Sequence, residues 1–244
     1  NIGFNRNRVT ELYGGKPELK GLKRLEEGRD MDEWYLREWA GVDPANGSPL
    51  WYTTDENGKR TTTDSYNKAD RVYCGSAAPK FTGGWMNSFS YKGFTLTANF
   101  DFVYGNLLYN QSRELLDSDG AYADYNSMKL KSGWKRWEKE GDIATHPKAI
   151  NGGNKNSNKS SSRYLEKGNY FSLRNLSLGY SIPEKLCGKL GLQRVNVSCS
   201  ADNLFTLTPF SGVSPQLSDS STDGYAGTIY PLSRRIVFGL NVSF

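Results

Sequence analysis

Residues 81–104 read FTGGWMNSFSYKGFTLTANFDFVY. Alternate letters separate into two sets. Phe81, Trp85, Phe89 and Tyr91 fall on one face, and Thr82, Met86, Ser88 and Ser90 on the other. After Lys92-Gly93 the alternation resumes, with Phe94, Leu96, Ala98, Phe100, Phe102 and Tyr104 against Thr95, Thr97, Asn99, Asp101 and Val103. Period two is the signature of a strand with unlike faces. Lys-Gly between two such runs is a tight hairpin turn. Each run has about eleven residues, whereas globular strands run about five or six and tilted membrane strands about nine to eleven.

Later stretches repeat the pattern. RIVFGLNVSF (235–244) sets Ile236, Phe238, Leu240, Val242 and Phe244 against Arg235, Val237, Gly239, Asn241 and Ser243. RVNVSCSADNLF (194–205) sets Val195, Val197, Cys199 and Ala201 against polar neighbours. YFSLRNLSLGYSI (170–182) is less regular, but Leu176, Leu178, Tyr180 and Ile182 alternate. Shorter, mixed runs at NIGFNRNRVTEL (1–12), EWYLREWA (33–40) and LWYTT (50–54) bring the count to about eight strands.

The connections differ in length. Residues 41–48 (GVDPANGS), 92–93 and 183–192 are short; 12–27, 55–79, 105–168 and 207–233 are long. A structureless loop of roughly sixty residues argues against a compact soluble domain. Short turns at one end and long loops at the other are expected of an outer-membrane barrel. No run approaches the ~18 apolar residues of a membrane helix, which leaves barrels open because their strands hide half their residues from lipid. The fold class predicted is all-β, an antiparallel transmembrane β-barrel. Its apolar face meets lipid and its Gly, Asn and Ser face a polar lumen. Phe244 and Tyr91 would stand in the inner aromatic girdle and Tyr104 in the outer one. With a periplasmic carboxyl terminus, every long loop is extracellular.

The chain of 244 residues begins NIGFNRN without a start methionine, as if in mid-strand, so an upstream continuation is expected. An arc of eight strands would leave two bare edges in lipid and is not expected to fold stably alone. The net charge of +5 is modest and no nucleic-acid module appears. Cys74, Cys187 and Cys199 form no C-x-x-C pair, and Cys199 reads as a small hydrophobe within a strand.

The stretches SSRYLEKGNYFSLRNLSLGYSIPEKL, VNVSCSADNLFTLTPFSGVSP and YPLSRRIVFGLNVSF, with APKFTGGWMNSFSYKGFTLTANFDFVYGNLLYN and AGVDPANGSPLWY, resemble the carboxyl-terminal part of the SusC/RagA-type TonB-linked outer-membrane transporters of Bacteroidetes. The resemblance implies that residues 1–244 are the last part of a barrel of about 22 strands. It implies a plug domain and a TonB-contacting segment upstream, and a SusD-like lipoprotein lid over the extracellular mouth. It further implies import of oligosaccharides or peptides, with no cofactor and no catalysis. One departure is visible. The family often carries Gly-x-Asp-Pro-Glu after its Asn-Leu-Phe-Thr motif. Here Asn203-Leu204-Phe205-Thr206 is followed by Gly212-Val213-Ser214-Pro215-Gln216, without the two carboxylates.

Residues that could contact substrate are Tyr109, Tyr122, Tyr125, Trp134 and Trp137. They flank or lie in the 105–168 loop, where aromatic faces could stack on sugar rings. Trp134 and Trp137, three apart, fit one face of a short helix, and Lys129, Lys131, Lys135, Arg136 and Lys139 lie around them. The bland alternative is a loop helix packed on its neighbours. His146, the one histidine, reads as a solvated loop residue. Asp117, Asp119 and Asp124 near Gly120 could invite calcium, but the spacing misses the EF-hand pattern and an ordinary polar turn fits better. A secreted β-sandwich that binds glycans is the rival reading; an outer-membrane hydrolase would need a nucleophile–base pair that the sequence does not assemble.

Overall fold

The computed structural model describes residues 1–216, 224–227 and 229–244. Six strands form one sheet: β1 (Ile2–Phe4), β2 (Phe81–Tyr91), β3 (Phe94–Tyr104), β4 (Tyr170–Ser181), β5 (Arg194–Leu207) and β6 (Arg235–Ser243). They lie side by side in chain order, each antiparallel to the next. The hairpin keeps the bounds read from the sequence. Lys92 and Gly93 both have positive φ, 46° and 86°, as a two-residue turn matched to strand twist requires.

Register carries the two-faced pattern across the sheet. On one face Trp85 opposes Phe100, Leu96 lies between Phe89 and Leu178, Leu178 opposes Cys199, and Cys199 opposes Phe238. On the other, Thr97 lies between Ser88 and Ser177, and Ser177 opposes Ser200. The apolar face is open: Phe238 is 80% exposed and Leu240 70%. Among the described residues no second sheet covers it, which overturns the β-sandwich reading.

The irregular alternation of 170–182 has a structural cause. Arg174 has no register partner on either side, while Asn99 faces Asn175 and Phe100 faces Leu173. This bulge shifts the apolar phase from Phe171 and Leu173 to Leu176, Leu178 and Tyr180, so both runs stay on the lipid side. It also lets the consecutive Arg174 and Asn175 both meet lumen carboxylates: Arg174 Nε lies 3.0 Å from Asp101 Oδ1 and Asn175 Nδ2 lies 2.8 Å from Asp202 Oδ1. On β5 the compensating residues are Asn203 and Leu204, and Asn203 adopts φ +53°.

Three expectations are corrected. The segments 33–40 and 50–54 do not join the wall, which has six strands among the described residues rather than about eight. They form the short strands Glu33–Arg37, Trp39–Val42 and Pro49–Thr54 in separate small sheets. Strands of four to six residues span about 13–20 Å, less than an apolar band of about 25 Å, and their Trp34, Leu36 and Trp51 are buried, not turned outward. The segment 41–48 is therefore no turn at the short end of the barrel. It links two of these strands inside one long excursion, 5–80. The first strand ends at Phe4 instead of running to Leu12. The other long connections, 105–169 and 208–234, leave the same end of the wall; residues 217–223 and 228 of the latter lie outside the described residues.

The face assignment predicts unequal costs for one substitution at adjacent sites. Phe238→Lys should destabilise the complete protein by ~2–4 kcal/mol and Val237→Lys by much less, measured by denaturant refolding into lipid vesicles. Equal costs would overturn the assignment.

Candidate functional site

The three excursions do not hang as separate loops. They pack into one cap at the long-loop end. Its core joins Trp34, Leu36 and Ala77 from the first excursion to Tyr109 and Tyr164 from the second, with Tyr225 of the third against them. The Trp34 ring lies 5.8 Å from that of Tyr109 and 5.1 Å from that of Tyr225, and its Nε1 donates to Leu107 O at 3.0 Å. A small sheet of Leu107–Asn110, Leu165–Lys167 and Tyr225–Ala226 ties the second and third excursions together.

Beside this core lies a largely buried ionic cluster. The side chains of Asp117 and Asp119 have no exposed surface. Asp117 Oδ2 accepts from Arg113 Nη2 at 2.8 Å and from His146 Nε2 at 3.0 Å, and Oδ1 lies 3.3 Å from Arg163 Nη2. Asp119 accepts from Arg136 Nη1 at 2.7 Å, from Ser157 Oγ at 2.7 Å and from both terminal nitrogens of Arg163. Arg113 also reaches Glu166 at 3.0 Å, and Glu166 takes the N–H and hydroxyl of Ser211 at 2.7 and 2.6 Å. Burial alone would push the Asp117 carboxyl up. The hydrogen bond from His146 and the charges of Arg163 and Arg113 outweigh it and hold the group at about 2. Burial, then the charge of Glu114 and the hydrogen bond to it, push the Tyr109 hydroxyl well above the usual phenol range.

The cluster revises several readings. His146 is buried, not solvated. The cations around Asp117 and Asp119 are arginines, so the segment is neither a calcium loop nor an ordinary turn, and Asp124 stays exposed outside it. Among the described residues no group of side chains has the makings of a metal site. Thr145, His146 and Asp117 do line up as hydroxyl, imidazole and carboxylate. Yet the Thr145 hydroxyl accepts from Lys135 N at 2.9 Å and donates toward Lys135 O at 3.2 Å, which makes it a turn-closing group. The sequence hid this cluster because its members are spread from residue 113 to 166 and only the backbone path brings them together. The lone histidine beside an Asp-x-Asp was the available signal.

The five aromatic candidates separate. Tyr109 is in the core, with its hydroxyl on Glu114. Trp137 is buried, donates to Pro44 O at 2.9 Å and lies over Gly47. Trp134 is half-buried, with Arg113 4.4 Å from its ring centroid and His146 at 5.0 Å. No helix joins these tryptophans; the chain is extended and Arg136 bridges to His146. Tyr122 and Tyr125 are exposed, with ring centroids 5.4 Å apart. They sit on a loop closed by Met128 N donating to Leu116 O at 2.9 Å, rooted in the ionic cluster at Asp117 and Asp119. Of the lysines and arginine nearby, Arg136 and Lys135 are used internally, the latter on Asp142 at 2.7 Å.

A two-faced antiparallel meander with a packed cap at one end defines part of the wall of a membrane β-barrel. The curated relatives agree. The chain is 29% identical over 280 residues to TonB-dependent receptor P3 of Formosa agariphila, an alignment covering all of the chain and 26% of that protein. It is 32% identical over 181 residues to TonB-dependent receptor P39 of the same organism, covering 72% of the chain and 17% of the relative. Among solved structures, the RagAB peptide importer in its closed-closed state matches the whole chain and 26% of its own with a TM-score of 0.80 and 26% identity. The structure of the RagAB peptide transporter matches with a TM-score of 0.81 at the same identity. No protein-family model matches. The chain thus spans about a quarter or less of the relatives it matches. The resemblance read from the sequence is borne out: this is part of a barrel of the SusC/RagA-type, TonB-dependent kind.

Two tests follow for the cap. Gly47 has φ +73°, and a Cβ there would meet the Trp137 ring at 2.6 Å. Gly47→Ala should destabilise the cap by about 2–4 kcal/mol, seen as faster proteolysis between residues 137 and 148 with the wall intact. Asp117→Asn leaves buried arginines short of a partner and should cost about 3–5 kcal/mol. Because the folded Asp117 group sits below the ordinary carboxylate value of about 3.9, its contribution is complete above that pH. It is lost as pH falls from about 4 toward about 2. Hydrogen exchange of the cap should rise across that window in the native protein and less steeply in Asp117→Asn.

Proposed function

We propose that this chain is the carboxyl-terminal part of the barrel domain of an outer-membrane, TonB-dependent nutrient importer. The long-loop cap faces the cell exterior and the carboxyl terminus the periplasm. The plug and the TonB-contacting segment belong to other parts of the same protein. A SusD-like lipoprotein closes over the cap, and oligosaccharides or peptides pass beneath it. The chain supplies wall and enclosure and performs no chemistry on the cargo. The observation that carries this reading is the continuous lipid-type face of the wall, joined to a packed cap, in a chain that is similar along its whole length to about a quarter of a RagAB importer chain.

Tyr122 and Tyr125 are the residues proposed to touch cargo, with Trp134 as a partial third face. Tyr109 and Trp137 act inward, as supports. In the complete transporter, Tyr122→Ala with Tyr125→Ala should raise the concentration for half-maximal uptake about three- to tenfold, the worth of one or two aromatic stacking contacts. Uptake of labelled oligosaccharide and peptide mixtures by cells carrying each form would read this. Unchanged uptake in the double variant would remove these tyrosines from the cargo path. A soluble protein with no heat-modifiable outer-membrane band would sink the transporter reading itself.

A further inference from the structure

An open groove of about 420 Å³ lies at the cap end of the wall, lined by Phe81, Phe102, Tyr104, Phe171, Leu207 and Pro209. Register places Phe81, Phe102, Tyr104, Phe171 and Leu207 on the lipid side. Phe81 and Tyr104 stack at 5.0 Å, and Phe81 and Phe102 meet edge-on at 6.3 Å, so the rings form a floor with fixed shape. The groove is continuous with the apolar face at the cap end of the wall, which on the barrel reading is the depth where the outer leaflet ends.

Its polar rim carries unspent N–H donors beside carbonyls that are already engaged. Asn169 presents its Oδ1 to Gly105 N at 2.7 Å, which leaves the amide N–H groups without a partner among the described residues. Asn169 O accepts from Thr208 Oγ1 at 2.8 Å, and the next residue, Pro209, accepts from Lys131 Nζ at 3.0 Å. Lys131 is exposed and has no carboxylate partner among the described residues, so two of its three ammonium protons are open. Apolar rings below and unspent N–H donors above suit one kind of occupant.

We propose that this groove seats an acyl chain of a phosphate-bearing outer-leaflet lipid, whose phosphate is held by Lys131 and Asn169. The site lies on the lipid face, apart from the cargo path. The inference rests on the barrel reading.

The test uses the complete protein extracted from its own outer membrane. Native mass spectrometry would count retained lipids, and delipidated samples would be titrated with a phosphorylated outer-leaflet glycolipid, phosphatidylglycerol or phosphatidylethanolamine. The glycolipid should bind best. Lys131→Glu should weaken it about fivefold or more, the weight of one basic residue at an anionic membrane surface. Leu207→Trp, which fills the groove without touching the rim, should weaken all three lipids alike. Equal binding of phosphatidylethanolamine, or no effect of Lys131→Glu, would overturn the site. Preference for phosphatidylglycerol would overturn the glycolipid assignment. Heat modifiability of the same samples separates these outcomes from failure of the barrel reading.

Discussion

The wall follows from one constraint, and the cap is built on the wall: a backbone amide in hydrocarbon must find its partner within the protein. Antiparallel pairing along the whole strand satisfies it, and pairing fixes register. Register then decides which side chains meet lipid, because a slip of one residue would exchange the two faces. The wall honours this from Phe89, Leu96 and Leu178 through Cys199 to Phe238. Where a charged side chain is needed on the lumen side out of phase, the chain inserts Arg174 as an extra residue and returns to phase at once.

The cap obeys a different rule. Away from lipid it can bury charge, provided each charge is matched. Asp117 and Asp119 sit without solvent among Arg113, Arg136 and Arg163, each carboxylate shared by more than one cation. Glu166 extends the cluster to Ser211, which ties the third excursion to the second. Such clusters give little net stability compared with apolar packing, but losing one member leaves an uncompensated charge. The arrangement sits at the base of the Tyr122–Tyr125 loop.

The wall was legible in the sequence because its code is local. Two letters of alternation over eleven residues suffice, and the bounds 81–91 and 94–104 are those of the structure. The cap was not legible because its contacts are not local. EWYLREWA and LWYTT carry strand-like letters, yet their tryptophans turn inward to partners far along the chain, as Trp34 does to Tyr109 and Tyr225. Aromatic content marked the 105–168 stretch, but spacing alone could not separate the supporting Tyr109 and Trp137 from the open Tyr122 and Tyr125. A lone histidine without a visible partner reads as solvent-exposed until the backbone delivers Asp117 to it.

The cap core has a consequence for assembly. Leu22 N meets the Tyr225 hydroxyl across a separation of 203 residues. Contacts so distant in the chain form late, since the intervening segments must first be brought to common ends. Those ends are the rims of β1 to β5 and the start of β6. A strand displaced by one residue would move its rim by about 3.4 Å and misplace an aromatic that the core requires. Cap and wall register are therefore coupled: excursions rooted on a slipped wall would not meet in this core.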